Sequence, residues 1–132
     1  MSPQYRILVV DDEPSVLFTY RLLLEKQGYA VAGATTCAEA FKLLDEKDFH
    51  LLLCDLSLDE NHSGFEVLEH ARSKNTTLPC ILLTGYATAD SAQKAQAMNL
   101  SVLYKPIDID EFLSTIPNIL RNVYEESAAG NG

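Results

Sequence analysis

The chain has 132 residues, 47% of them apolar and 22% charged, which suits one domain with its own core and argues against disorder. Nineteen acidic against ten basic side chains give a formal charge of −9, a field that repels phosphate backbones, so no direct nucleic-acid binding is expected. No apolar run approaches the roughly 18 residues of a membrane span. The run Ile7–Val10 meets Asp11, Asp12 and Glu13 at once, unlike a signal peptide, so a cytoplasmic chain without a membrane partner is expected.

In chain order, short runs rich in Val, Ile and Leu stand at Tyr5–Val10, Tyr29–Ala34, Leu51–Cys54, Cys80–Thr84 and Ser101–Tyr104. Four are nearly continuous in apolar or small residues, the pattern of strands covered on both faces of a parallel sheet. The last is shorter and more polar, as at a sheet edge. Amphipathic stretches fill the gaps. Pro14–Gln27 spaces Val16, Leu17, Tyr20, Leu23 and Leu24 helically, with Pro14 suited to a first turn and Gly28 to the position past the end. Thr36 to Glu39 reads as a capping box opening a helix to about Lys47. Helices are also expected over Phe65–Lys74, after Gly64, and over Thr88–Met98. Asp108 to Glu111 resembles a second capping box, and Ile109, Phe112, Leu113, Ile116, Leu120 and Val123 form the clearest helical face. Pro117 sits inside it and predicts a kink or a break into two pieces. The polar end from Glu125 to Gly132 is expected to fray.

The order is β-α repeated five times, with right-handed crossovers placing helices on both faces of a sheet. The expected fold is therefore α/β, a doubly wound three-layer sandwich on five parallel strands, and ligands should bind beyond the strands' carboxyl ends. Cys37, Cys54 and Cys80 form no CxxC pair and read as small buried hydrophobes, not as a disulfide framework or zinc site. His50, His62 and His70 show no metal spacing.

The strand ends carry the chemistry. The first ends in Val10-Asp11-Asp12-Glu13, the third in Cys54-Asp55, the fourth in Leu83-Thr84-Gly85 and the fifth in Tyr104-Lys105-Pro106. With the first, third and fourth strands as neighbours, three carboxylates, a hydroxyl and an ammonium converge on one rim. Carboxylates this close repel unless a cation intervenes. Mg²⁺ takes one or two carboxylates, keeps waters and leaves positions for phosphoryl oxygens. Lys105 adds a point charge suited to a phosphate or a carboxylate, Thr84 a hydroxyl and Gly85 room beside it. Each piece alone has a plainer role: Asp12 or Glu13 as a helix cap, Asp55 as a turn residue, Lys105 as a solvated lysine. Together, in this order, they point to phosphoryl chemistry.

On these residues the sequence resembles the CheY-like receiver domains of two-component response regulators, over about Tyr5 to Tyr124. The resemblance implies the flavodoxin-like strand order 2-1-3-4-5, a receiver over 1–124 and a short polar tail over 125–132. It implies Asp55 as phosphoacceptor from a histidine kinase or phosphotransfer protein. Asp12 and Asp55 would bind Mg²⁺ directly, Asp11 mostly through water, and Ser57 through its backbone carbonyl. Lys105 would pair with the phosphoryl group and Asp55, and Thr84 would be the switch hydroxyl. Lys105-Pro106 would be a cis peptide, and Ser57 and Tyr86 would set the phosphate's lifetime. A receiver catalyses only its own phosphorylation and dephosphorylation. It signals to a downstream protein target or an output domain on a longer chain, or passes phosphate on in a relay, as a monomer or weak dimer.

The chain also departs from the family. Val102 stands where an aromatic switch residue is usual, and Tyr104, two residues on along the same strand face, is expected to pack, with substitution for that aromatic as the alternative. Asp59 replaces a frequent Pro, the loop to Gly64 is one residue longer, and Asp59, Glu60 and His62 crowd the rim. Met98-Asn99 replaces the usual small pair. Three other functions fit these residues less well. A magnesium phosphatase is disfavoured because its nucleophile would stand on the first strand, and an FMN carrier because the acidic loop repels the phosphate. A degenerate receiver acting as an interaction module without phosphorylation is kept alive by Val102.

Overall fold

The structure, a computed structural model, describes residues 4–58, 62–85 and 88–126. The expectations for Asp59, Glu60 and Tyr86, and for the tail from 127 on, fall outside the described residues. Five strands, β1 (Arg6–Val10), β2 (Ala30–Ala34), β3 (Leu51–Asp55), β4 (Cys80–Thr84) and β5 (Ser101–Tyr104), alternate with five helices. The helices are α1 (Pro14–Lys26), α2 (Cys37–Glu46), α3 (Gly64–Lys74), α4 (Ala89–Ala97) and α5 (Ile109–Leu120). The sheet is parallel throughout in the order β2-β1-β3-β4-β5, the doubly wound architecture expected from the alternation of runs. No helix among the described residues is long and apolar enough to cross a membrane.

Every residue of β3 and β4 is buried. Alternation of side chains along these strands feeds two separate cores. Leu8, Val10, Leu52, Cys54, Cys80 and Leu82 pack on the face that also holds residues of α2, α3 and α4. Ile7, Val9, Leu51, Leu53, Ile81 and Leu83 pack on the other, with α1 and α5. All three cysteines are buried and none forms a disulfide. Burial pushes the Cys80 thiol up to about 11 and that of Cys54 well above its ordinary value, as inert core thiols require.

The helix ends show which local signals were complete. α1 and α4 both close in Schellman motifs. Gly28, at φ +96°, gives its N–H to Glu25 and the following Tyr29 gives its own to Leu24. Asn99, at φ +56°, does the same to Gln96, and Leu100 to Ala95. Asn99 is thus a structural choice, a residue that tolerates the left-handed region. At α2 only half of the expected box forms. Thr36 accepts from the Glu39 amide, but Glu39 takes the hydroxyls of Thr35 and Thr36 instead of an amide in return. Asp108 caps α5 through the Glu111 amide at 3.0 Å. At α3 the Glu66 carboxylate accepts the Ser63 amide at 3.0 Å, and at α4 both halves of a box form between Thr88 and Ser91.

Pro117 does not break α5. The helix runs through it to Leu120, and a π-helical turn follows over Arg121–Glu126. A proline inside a helix costs about 3 kcal/mol. Phe112, Ile116 and Leu120, spaced by four on the sheet side of the helix, are buried. Each contributes about 1.5–3 kcal/mol by burial, enough to hold the helix across the missing hydrogen bond. Glu125, expected in the frayed tail, belongs to this turn and accepts the Tyr5 hydroxyl at 2.6 Å. That bond comes first among the causes that lift the Tyr5 phenol to about 12.

At the amino ends of the strands, His50 closes a clasp. Its Nδ1 accepts the Arg6 amide at 2.9 Å, and its carbonyl accepts the Tyr124 hydroxyl at 2.6 Å. Its ring stands edge-on between Tyr5 and Tyr124. Burial, then the Arg6 charge, lowers its pKa below 6.5, against the pull of Asp48. The folded state therefore binds fewer protons than the unfolded one just below pH 6.5, and stability falls as acid passes through that window. Wild type is expected to lose melting temperature between about pH 7 and 5.5 more steeply than His50→Asn, measured by circular dichroism at fixed ionic strength. Parallel slopes would remove His50 from the pH response.

Candidate functional site

Sheet register assembles the site. Val10 pairs with Cys54, so Asp11 and Asp55 are the next residues on neighbouring strands. Asp55 pairs with Leu83 and Thr84 with Tyr104, which brings Thr84 and Lys105 to the same rim. Backbone bonds carry the ladder past the strand ends, from Asp11 to Ala34 at 3.1 Å, Leu56 to Leu83 at 2.8 Å and Lys105 to Thr84 at 2.8 Å. The acidic and basic groups thus stand on backbone the sheet holds in place, not on free loops.

The charges are arranged unequally. Lys105 Nζ donates to Asp55 Oδ2 at 2.9 Å and lies 3.7 Å from Asp11 Oδ2. Asp55 Oδ1 accepts the Ser57 amide at 3.1 Å. Asp11 is fully buried; its Oδ1 accepts the Glu13 amide at 2.9 Å, and its Oδ2 has no hydrogen-bond partner. Burial raises the Asp11 pKa against the opposing pull of the Glu13 amide and Lys105, and Asp55 and Asp12 raise it further. Burial works against the Lys105 ammonium, but its hydrogen bond to Asp55 and the charges of Asp55 and Asp11 outweigh it and hold its pKa up. The ammonium is therefore a fixed cation of the site.

Asp11, Asp12 and Asp55 each offer an oxygen within 4.8 Å of the others'. Three carboxylates against one ammonium leave a formal excess of two negative charges. A buried carboxylate oxygen without a partner is costly unless a ligand satisfies it. A hard divalent ion fits this all-oxygen donor set. Asp12 is exposed, so the cluster opens to solvent on that side.

The structure adds a residue whose role sequence reading missed. A Cβ on Gly64 would run into the Asp55 carbonyl oxygen and stand 3.0 Å from its carbon and 3.1 Å from Cys54 Sγ. Gly64 also gives its N–H to Leu56 at 2.7 Å, while Ser57 and Ser63 form an isolated bridge. The start of α3 is thereby pressed against the end of β3, directly behind Asp55. In the sequence Gly64 is visible only as a residue before a helix. Gly85 is less constrained, since a Cβ there would make an ordinary 3.7 Å contact with Lys105. Tyr20, read only as part of an apolar face, is buried and stacked on Phe112, and burial and then the site's charges act on its phenol.

Thr84 is buried, Ser57 is exposed and the Lys105-Pro106 peptide is cis. Val102 is half-buried at the margin of the core. Tyr104 does not pack as expected: it is 58% exposed. β5 is an edge strand that pairs only with β4, and the ring at its end stands in solvent.

The sequence matches the response regulator receiver domain family over residues 7–117. The chain belongs to that family. The receiver is 36% identical over 118 residues to the transcriptional regulatory protein ZraR of Klebsiella oxytoca, covering 89% of this chain and 26% of that protein. It is 38% identical over 109 residues to the alginate biosynthesis transcriptional regulatory protein AlgB of Pseudomonas putida, covering 82% of this chain and 24% of that one. The CheY-like receiver domain protein of Methanospirillum hungatei superposes with a TM-score of 0.88 at 29% identity, covering 94% of this chain and 99% of that one. The receiver thus spans about a quarter of the length of the curated relatives it matches. It is a receiver domain of the kind that response regulators of two-component systems carry.

Proposed function

We propose that the receiver accepts a phosphoryl group on Asp55 in a Mg²⁺-dependent reaction and signals through that modification. The observation that carries the reading is the charge arrangement: Lys105 fixed on Asp55 at 2.9 Å beside a buried Asp11 oxygen with no hydrogen-bond partner. Asp12 and Asp55 would hold the ion directly, Asp11 mostly through water and Ser57 through its backbone carbonyl. Bound there, Mg²⁺ supplies charge neutralisation for the carboxylates and the incoming phosphoryl oxygens. The Asp55 carboxylate attacks phosphorus in line, the bond to the donor's imidazole nitrogen breaks, and the imidazole leaves with its electron pair. Lys105 then faces the new phosphoryl group, and Thr84 draws in to one of its oxygens. Ser57 and Tyr86 control access of water to the phosphorus, and so the adduct's lifetime.

The donor in this reading is a histidine kinase or a phosphotransfer protein in the cytoplasm. The recipient is a downstream protein target or an output domain, as the names of the transcriptional relatives suggest, or a further relay partner. Without an aromatic at Val102 the response is expected to centre on Thr84. A receiver used without phosphorylation remains the second reading, favoured only by Val102; the complete acidic cluster with its lysine weighs against it.

The test is intact-mass measurement after treatment with acetyl phosphate. Wild type is expected to gain one phosphoryl group with Mg²⁺ and none in EDTA, and Asp12→Ala to need roughly tenfold or more Mg²⁺. Equal gain in EDTA, or none under any condition, would overturn the reading.

A further inference from the structure

Tyr20 brings to the buried face of α1 a polar end that its neighbours there lack. Leu17 and Leu24, the other buried residues of the helix, fill their places with plain aliphatic side chains. Tyr20 is just as buried, and its ring lies on that of Phe112, with centroids 5.2 Å apart and planes 21° from parallel. Burial acts first on its phenol and raises the pKa; the charge of Lys105 then lowers it, and those of Asp11, Asp55 and Glu13 raise it. The oxygen end of the ring is therefore turned toward the acidic rim.

Phe112 gives the stack its reach. It is fully buried at the end of the first turn of α5, and its N–H donates to the Asp108 carbonyl at 2.9 Å. Lys105 to Asp108 form the link from β5 to α5. The near end of this link is held by the sheet, where the Lys105 amide donates to the Thr84 carbonyl at 2.8 Å. The far end is held by Asp108 on Phe112, and so by whatever holds Phe112. The Lys105 side chain is long, flexible and 30% exposed, so its place 2.9 Å from Asp55 Oδ2 depends on where its backbone is fixed. We propose that Tyr20 is a positioning residue for Lys105: its ring clamps the start of α5 and thereby keeps the ammonium on Asp55. Leucine at this position would fill much of the same space but would leave the face of Phe112 without a ring to stack on. The consequence for phosphoryl uptake rests on the reading of Asp55 as the acceptor; the placing of Lys105 does not.

The test compares Tyr20→Phe, which keeps the stack, with Tyr20→Leu, which removes it. Leu24→Ala is the control, since it opens the core of the same helix one turn further from the rim. Circular dichroism melts will identify a temperature at which every variant is folded. The first readout is the ¹⁵N signal of the Lys105 ammonium in slightly acid buffer, assigned by its loss in Lys105→Met. A fixed hydrogen bond should make it visible in wild type, Tyr20→Phe and Leu24→Ala, and Tyr20→Leu should broaden it away. The second is the initial rate of phosphoryl uptake from acetyl phosphate with Mg²⁺. Tyr20→Leu should be about tenfold slower, and the other two within about twofold of wild type. In a Lys105→Met background Tyr20→Leu should slow uptake no further, because the clamp acts through that lysine. An ammonium invisible in wild type, or unchanged in Tyr20→Leu, overturns the proposal. So does slowing that Leu24→Ala matches, that Tyr20→Phe shares, or that persists in full without Lys105. A wild type that takes up no phosphate would sink the reading of Asp55 instead, and the ammonium signal would still decide the role of Tyr20.

Discussion

Asp55→Asn is expected to abolish phosphoryl uptake, by at least ~10³-fold in rate, while leaving the fold intact. Asparagine keeps the size of the side chain and an oxygen able to accept the Ser57 amide that Asp55 Oδ1 now accepts. Its amide is no nucleophile, and it cannot form the charged pair now made with Lys105 at 2.9 Å. Removing one of three clustered carboxylates also relieves repulsion on buried Asp11, for which the Asp55 charge is one of the forces raising its pKa. Thermal stability in metal-free buffer should therefore hold or rise. Intact mass after acetyl phosphate and Mg²⁺ reads the chemistry, and circular dichroism reads the fold. Uptake by the variant at the wild-type rate would move the acceptor elsewhere, with Asp11 and Asp12 the first candidates.

Gly64→Ala is expected to be the most damaging small substitution near the site. The added methyl would meet the Asp55 carbonyl, which is backbone and cannot rotate away as a flexible side chain could. Either α3 lifts from β3, losing the Gly64–Leu56 hydrogen bond, or β3 shifts and carries Asp55 with it. Overpacking against backbone costs about 2–4 kcal/mol. For a chain of this size that lowers the melting temperature by roughly 10 °C. Phosphoryl uptake should slow as well, since Asp55 would no longer stand in register with Lys105. A melting temperature within about 2 °C of wild type would show that the start of α3 yields freely, and that Gly64 does not position Asp55.

Much of this was legible in one dimension because its causes are local or periodic. Four of the five apolar runs, too continuous for a sheet wet on one face, implied a buried parallel sheet, and β3 and β4 are buried at every residue. Pro14 and Gly28 marked the ends of α1 through backbone preferences that need no tertiary contact. The strand-end motifs located the rim, since in a parallel α/β sheet every strand delivers its last residue to the same side.

Other features depend on residues far apart in the chain. Pro117 read as a kink or a break, and the helix does not break there, because local rules count the lost hydrogen bond and not the burial of Phe112, Ile116 and Leu120. Tyr104 read as a packing residue, because strand alternation names a face without saying whether anything covers it at a sheet edge. Glu39 looked like half of a capping box, but two neighbouring hydroxyls compete for its carboxylate.

The sequence by itself determined the class of fold, the order of its elements and the set of groups on the rim. Those follow from periodicity and from the types of residue at each strand end. Only the tertiary structure decided that Asp11 is buried with one oxygen unpartnered and that Lys105 chooses Asp55 over Asp11, at 2.9 Å against 3.7 Å. It alone shows that Gly64 must lack a side chain and that Phe18 and Leu22 face solvent. Burial, pairing and close approach are properties of segments that meet in space, and no window of sequence contains both partners.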